Sequence, residues 1–244
     1  DLALLNYNAA GPYPSCFDNL RENEKKNEHQ RILKRNFEHL CKIIPILEPK
    51  TVIPFAGSYI LGGKNYYKND YLGTTTWDEC ADFLKENLKV KINIVTLREN
   101  QTFDILNQLQ LEKYERLNLD DRKKYIESLK DHKYEYEKDN EPNISKLIED
   151  SELASKKMGE RLKKFNVELN TNVFIQIKDK TVQIIKGKDE NRKLYCELDN
   201  KLLRRILDRK AHWNNAEIGT HITFKRYPNK MEPDTHTLMS FFHL

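Results

Sequence analysis

Three short segments gather the side chains that could do chemistry. In NYNAAGPYPSCF, residues 6–17, Tyr7, Asn8, Tyr13 and Cys16 follow an apolar run and surround a proline-stiffened turn. The carboxyl end of a strand in an α/β layer is where such folds bind ligands, which makes Tyr7 and Asn8 candidate substrate contacts; composition alone supports a plain turn equally well. In TVIPFAGSYILGGK, residues 51–64, a buried-looking run stops on small residues. Gly57, Gly62 and Gly63 would let a ligand approach bare backbone, with Ser58, Tyr59, Lys64 and Asn65 as hydrogen-bond partners. The spacing is neither a P-loop nor a dinucleotide fingerprint, so on the residues alone a structural turn is the better reading. The third segment, HWNNAEIGTHITFKRYPN, residues 212–229, offers His212, Asn215, His221 and Arg226. Its two histidines lack a carboxylate or third histidine at metal-ligand spacing, which favours hydrogen-bonding or core roles. Arg226 either clamps a carboxylate or phosphate or pairs with Glu217. No nucleophile with an adjacent base can be read from the spacing anywhere in the chain.

The elements that must position these groups alternate in type. LALL, residues 2–5, predicts a buried strand, and residues 18–43 an amphipathic helix that Pro45 and Pro49 end. TVIPF predicts a second strand. WDECADFLKEN, residues 77–87, predicts a helix capped by Thr76 with Asp78 and Glu79 in its first turn, and VKINIVTL a half-exposed strand. This cadence is that of an α/β layer. Residues 101–165 are charged, with apolar residues at helical intervals, and predict two or three surface helices joined by a polar connector at 133–143. From 167 the period returns to two: NVFIQI, TVQIIKG and KLYCEL predict strands, with a hairpin turn at Asp179-Lys180. A helix over 199–208 capped by Asp199, a strand at ITFKR and a terminal apolar helix in THTLMSFFHL complete the pattern.

Composition narrows the function classes. The 244 residues carry 42 Lys and Arg against 38 Asp and Glu, an interleaved excess of +4. That gives no reason to invoke nucleic acid, which is bound by clustered cations, and leaves anionic small molecules open. No apolar run approaches the ~20 residues of a membrane span. Cys16, Cys41, Cys80 and Cys196 form no C-x-x-C pair and predict free thiols in a reducing, cytoplasmic setting. Asp1 opens directly on an apolar run, so further residues upstream are expected.

DLALLNYNAAGPYP, TVIPFAGSYIL and the tail H-W-N-N-A-E-I-G…R-x-P-N…F-F-H together resemble the C-terminal half of the metallo-β-lactamase fold, closest to bacterial proteins similar to CMP-N-acetylneuraminate hydroxylase. The likeness covers about residues 1–65 and 200–244. It implies an α/β plus α+β chain: the C-terminal half of a metallo-β-lactamase-like αββα sandwich over 1–100, a charged helical insert over 101–165, and a small α+β, sterol-carrier-like domain over 166–244. It further implies a metal-dependent hydrolase or oxygenase acting on a polar anionic small molecule such as a sugar nucleotide, with recognition by Tyr7, Asn8, Ser58, Tyr59, Lys64, His212, Asn215 and Arg226. The pattern departs from the family at one position. Hydrolases of this fold place a metal-binding histidine where Ala56 stands, and the H-x-H-x-D-H element is absent from the chain. A divalent metal or iron would therefore be held by residues upstream or by a partner chain. The rival expectation is a ligand- or partner-binding module that has lost its metal site.

Overall fold

A computed structural model describes residues 1–244. Three strands, β1 (Leu2–Asn6), β2 (Thr51–Phe55) and β3 (Asn93–Ile94), form a parallel sheet in the order β1-β2-β3. Two helices make the crossovers, α1 (Glu22–Leu47) and α2 (Trp77–Asn87). Alternation along the strands sends Ala3, Leu5 and Val52 into a small core with Phe37, Leu40 and Ile44 of α1 and Leu84 of α2. On the opposite face Thr51 and Ile53 are buried, with Thr51 bonded to Gln108, whereas Leu4 and Phe55 stay 52% and 53% exposed, and β1 has no partner on its outer side.

The capping box at α2 forms as the sequence predicts, with Thr76 accepting from the Glu79 backbone N–H. The first helix differs: it begins at Glu22 and runs through Pro45 to Leu47, closing on Glu48 in the left-handed conformation. Proline so close to a C-terminus removes a single late hydrogen bond. The alternating run 90–97 pairs with β2 only over two residues.

Residues 101–117 contain no helix. They make a short antiparallel hairpin, β4 (Phe103–Asp104) with β5 (Leu109–Gln110), then an extended segment. The helix α3 (Leu119–Ser128) buries none of its residues, as expected of a solvated helix, but α4 (Ile144–Lys164) buries Leu147, Ala154 and Met158 in the main core. A single turn of 3-10 helix at Glu135–Lys138 lies in the polar connector.

The second sheet has the order β7-β6-β8-β9, built from β6 (Asn172–Ile177), β7 (Lys180–Ile185), β8 (Lys193–Leu198) and β9 (Ile222–Tyr227). β6 and β8 are parallel and the outer pairs antiparallel; the hairpin turn falls at Lys178-Asp179, one residue before the predicted one. Four helices, α4, α5 (Asn200–Leu207), α6 (Trp213–Ile218) and α7 (Pro233–Met239), contribute to the core around this sheet, where Val173, Ile175, Leu203, Trp213 and Phe224 are fully buried. HWNNAEIG is thus largely helix α6, not loop. Cys16 and Phe17 also belong to this second core: Phe224 bonds to both the Cys16 carbonyl and the Asp18 N–H, so the chain after β1 covers the free edge of β9. The architecture is mixed α/β with a parallel sheet followed by a mixed one.

Candidate functional site

The chain segments leaving β2 and β3 meet at one cleft. Its floor is the chain leaving β2, Ser58-Tyr59-Ile60; Arg98 follows β3; Trp77 opens α2; and Asn118, Arg122 and Tyr125 of the α3 region close the far side around about 600 Å³. A second trough of about 720 Å³ shares Trp77, Arg98 and Leu117 with it and continues to Lys113 and Glu115. Both volumes fall in the range of small-molecule sites, roughly 300–1,000 Å³, and the position at the carboxyl ends of parallel strands is the one open α/β sheets use for ligands.

The floor is built on Tyr7 and Asn8. Asn8 bonds reciprocally with Thr75, its Nδ2 donating to the carbonyl at 3.0 Å and its Oδ1 accepting from the N–H at 2.9 Å. Ser58 Oγ donates to the same Thr75 carbonyl at 2.9 Å. Tyr7 is 2% exposed and hydrogen-bonds Ser58, and its phenol is pushed far up, chiefly by burial. Gly57 is required here: a Cβ would stand 2.3 Å from the Tyr7 ring. Ala56, directly before it, takes φ of 50°, a conformation costly for a residue with a side chain.

Asp78, 6% exposed, holds the opposite wall by accepting from Tyr114 Oη at 2.7 Å and the Leu117 N–H at 2.9 Å. Trp77 Nε1 donates to the same Tyr114 oxygen at 2.5 Å. Arg98 and Arg122 line the cleft without an ion-pair partner; Asp121, beside them, pairs with Lys124 at 3.6 Å. The charge of Arg122 reaches the interior, favouring the ionised forms of Tyr7 and Glu79. Two guanidinium groups without ion-pair partners lining one cleft suit an anion.

The eight residues expected from sequence separate in space. Ser58 and Tyr59 line the cleft, and Tyr7 and Asn8 support it from beneath. Lys64 lies away from it, pairing with Asp199 at 3.0 Å and Glu137 at 3.3 Å over the Tyr136 ring. Burial works against the Lys64 charge, but Asp199 and Tyr136 more than offset this and hold its pKa above the usual range. Asn215 sits on α6 and His212 is its N-cap residue; His212 borders a separate depression of about 200 Å³ with His243 and Ser240. Arg226 is 7% exposed, lies over the Phe17 and Tyr13 rings at 4.6 and 5.2 Å, and bonds Asn229 at 2.7 Å. Its predicted alternative partner, Glu217, instead pairs with His236 at 2.6 Å and accepts from Trp213 at 3.1 Å.

Residues that the sequence reading passed over, Trp77, Arg98, Arg122 and Tyr125, complete the cleft. The available signal was weak: Arg98 ends an alternating run, and Arg122 lies four residues past a good N-cap, Asn118. A metal is a poor fit to the side chains of this chain: no three His, Cys, Asp or Glu residues cluster anywhere, and the strand end offers only Ala56. No helix is long and apolar enough to cross a membrane. Comparison of the chain with protein-family models, curated proteins and solved structures returns no match.

Proposed function

We propose that this chain is the substrate-recognition wall of a metallo-β-lactamase-like metal-dependent enzyme, and that its cleft binds a polar anionic small molecule of the sugar-nucleotide class. The observation that carries the reading is the convergence of two arginines without ion-pair partners, Arg98 and Arg122, on the cleft that Ser58 lines beyond the carboxyl end of β2. Each would donate to phosphate or carboxylate oxygens, and Trp77 and Tyr125 offer flat apolar surface for a ring. The open edge of β1 and the exposed Leu4 at that edge suit a further strand, from upstream residues or a partner chain, although this chain already covers Thr51 and Ile53 on the same face of the sheet. Metal ligands would come from that part, and no step through a metal is derived from the residues here. Four unpaired cysteines fit a reducing, cytoplasmic setting.

Calorimetric titration with cytidine monophosphate and a neutral sugar tests the reading. The nucleotide is expected to bind, the neutral sugar is not, and Arg98→Ala or Arg122→Ala should each weaken binding by at least about tenfold, the worth of a charged hydrogen bond. Equal binding by both variants would contradict it. A second reading, a binding module without catalysis, is favoured by Ala56 at the strand end. Metal analysis of a longer chain carrying the second sheet separates the two: a stoichiometric metal supports the enzyme, and none supports the module.

A further inference from the structure

Away from the cleft, the 3-10 segment Gly63–Tyr71 buries a lysine. Lys68 is 5% exposed and has no carboxylate within ion-pairing distance; its Nζ donates to the Thr220 carbonyl at 2.8 Å and lies 3.6 Å from the Cys16 sulfur. Cys16 is wholly buried and its thiol also points to the Thr220 carbonyl, at 3.7 Å. Thr220 is unusual twice over. It is β-branched yet has φ of 62°, and its Oγ1 is buried with no hydrogen-bond partner. Strain of this kind persists only where surrounding structure imposes it, and an ammonium withdrawn from water without a counter-charge is costly. No other cysteine has an amine in contact.

We propose that Cys16 and Lys68 are a covalent modification site, joined by peroxide into an N–O–S bridge that consumes the buried charge. The balance is as follows: the thiol S–H and one amine N–H break, one S–O and one O–N bond form, and two hydrogen peroxide molecules become three of water, the ammonium's extra proton going to solvent. An intervening oxygen suits the geometry, because a direct S–N bond would require about half the observed separation. The product nitrogen is uncharged, so the bridge removes the unpaired ammonium from the interior. Burial pushes the Cys16 thiol up while Lys68 draws it back down, so the reaction is slow and waits on local opening to admit the oxidant. The bridge would tie the chain that follows Tyr7 and Asn8 to the one that follows Ser58 and Tyr59, and so stiffen both supports of the cleft.

Mass spectrometry of the intact protein before and after excess hydrogen peroxide tests this. The expected result is a gain of about 14 Da, loss of one of the four thiols that titrate after denaturation, a tryptic species joining the Cys16 and Lys68 peptides, and reversal of all three by dithiothreitol. Cys16→Ser and Lys68→Met should each abolish it, with circular dichroism checking that either variant is folded. A gain of about 32 Da on Cys16, the sulfinic acid, would overturn the proposal, as would a loss of about 2 Da from a direct S–N bond. Four titratable thiols after treatment would overturn it equally.

Discussion

His221 makes acid a selective probe of the junction between the two sheets. Its Nδ1 faces Tyr136 Oη at 3.2 Å and Asn65 Nδ2 at 3.4 Å, the Tyr134 ring stands edge-on at 4.4 Å, and Lys68, Lys64 and Glu137 supply the nearby charge. Burial first, then the two lysines, lower its pKa from 6.5 to about 4, with Glu137 opposing. The folded state therefore resists protonation, the unfolded chain takes up the proton earlier, and stability falls as pH drops from 6.5 toward 4 and levels below that. The full shift corresponds to about 3 kcal/mol; the ring is partly exposed, and screening reduces this to about 2 kcal/mol. Carboxylates titrate over the same range, so the measurement is a difference. Urea unfolding midpoints for the protein and for His221→Gln, which keeps an acceptor but cannot titrate, are compared between pH 7 and 4. The account predicts that the protein loses about 2 kcal/mol more than the variant over this interval. Parallel pH profiles would refute the argument.

Gly57→Ala should cost about 1–3 kcal/mol in urea unfolding, because its Cβ overlaps the Tyr7 ring and displaces the cleft floor; a neutral effect would mean that the floor is loosely held. Asp78→Ala should destabilise by about 1–3 kcal/mol, leaving the Tyr114 hydroxyl and Leu117 N–H without their acceptor, and should weaken nucleotide binding without touching the ligand. Phe55→Asp should leave the stability of this chain within about 0.5 kcal/mol, since the side chain is 53% exposed. A loss of about 2 kcal/mol or more there would mean that the cover over Thr51 and Ile53 extends across Phe55.

Where local physics decided the structure, the sequence was readable. Thr76 and Glu79 wrote the start of α2 as a capping box, Asp199 marked α5, and period-two patterning marked β6, β7 and β8. Pro45 was over-weighted, since a helix two residues from its end loses little by including it. The apolar spacing of Ile105, Leu109 and Tyr114 imitated a helix, but the stretch is held instead by tertiary contacts: Gln108 to Thr51 at 2.5 Å and Tyr114 to Asp78. Half of the cleft was legible for the same reason that half was not. Ser58 and Tyr59 follow directly from a strand that stops on small residues, whereas Arg122 reaches the site through the packing of 114–118 on α2, and Arg98 follows a strand that pairs over only two residues. Lys68 carried no signal of burial, lying among charged and aromatic residues that mostly face solvent.

A crystal of the protein grown with cytidine monophosphate tests the central claim most directly. Phosphate density within hydrogen-bond distance of both Arg98 and Arg122, beside Ser58, is the predicted result. Full occupancy elsewhere on the molecule, or an empty cleft at saturating nucleotide, would contradict it.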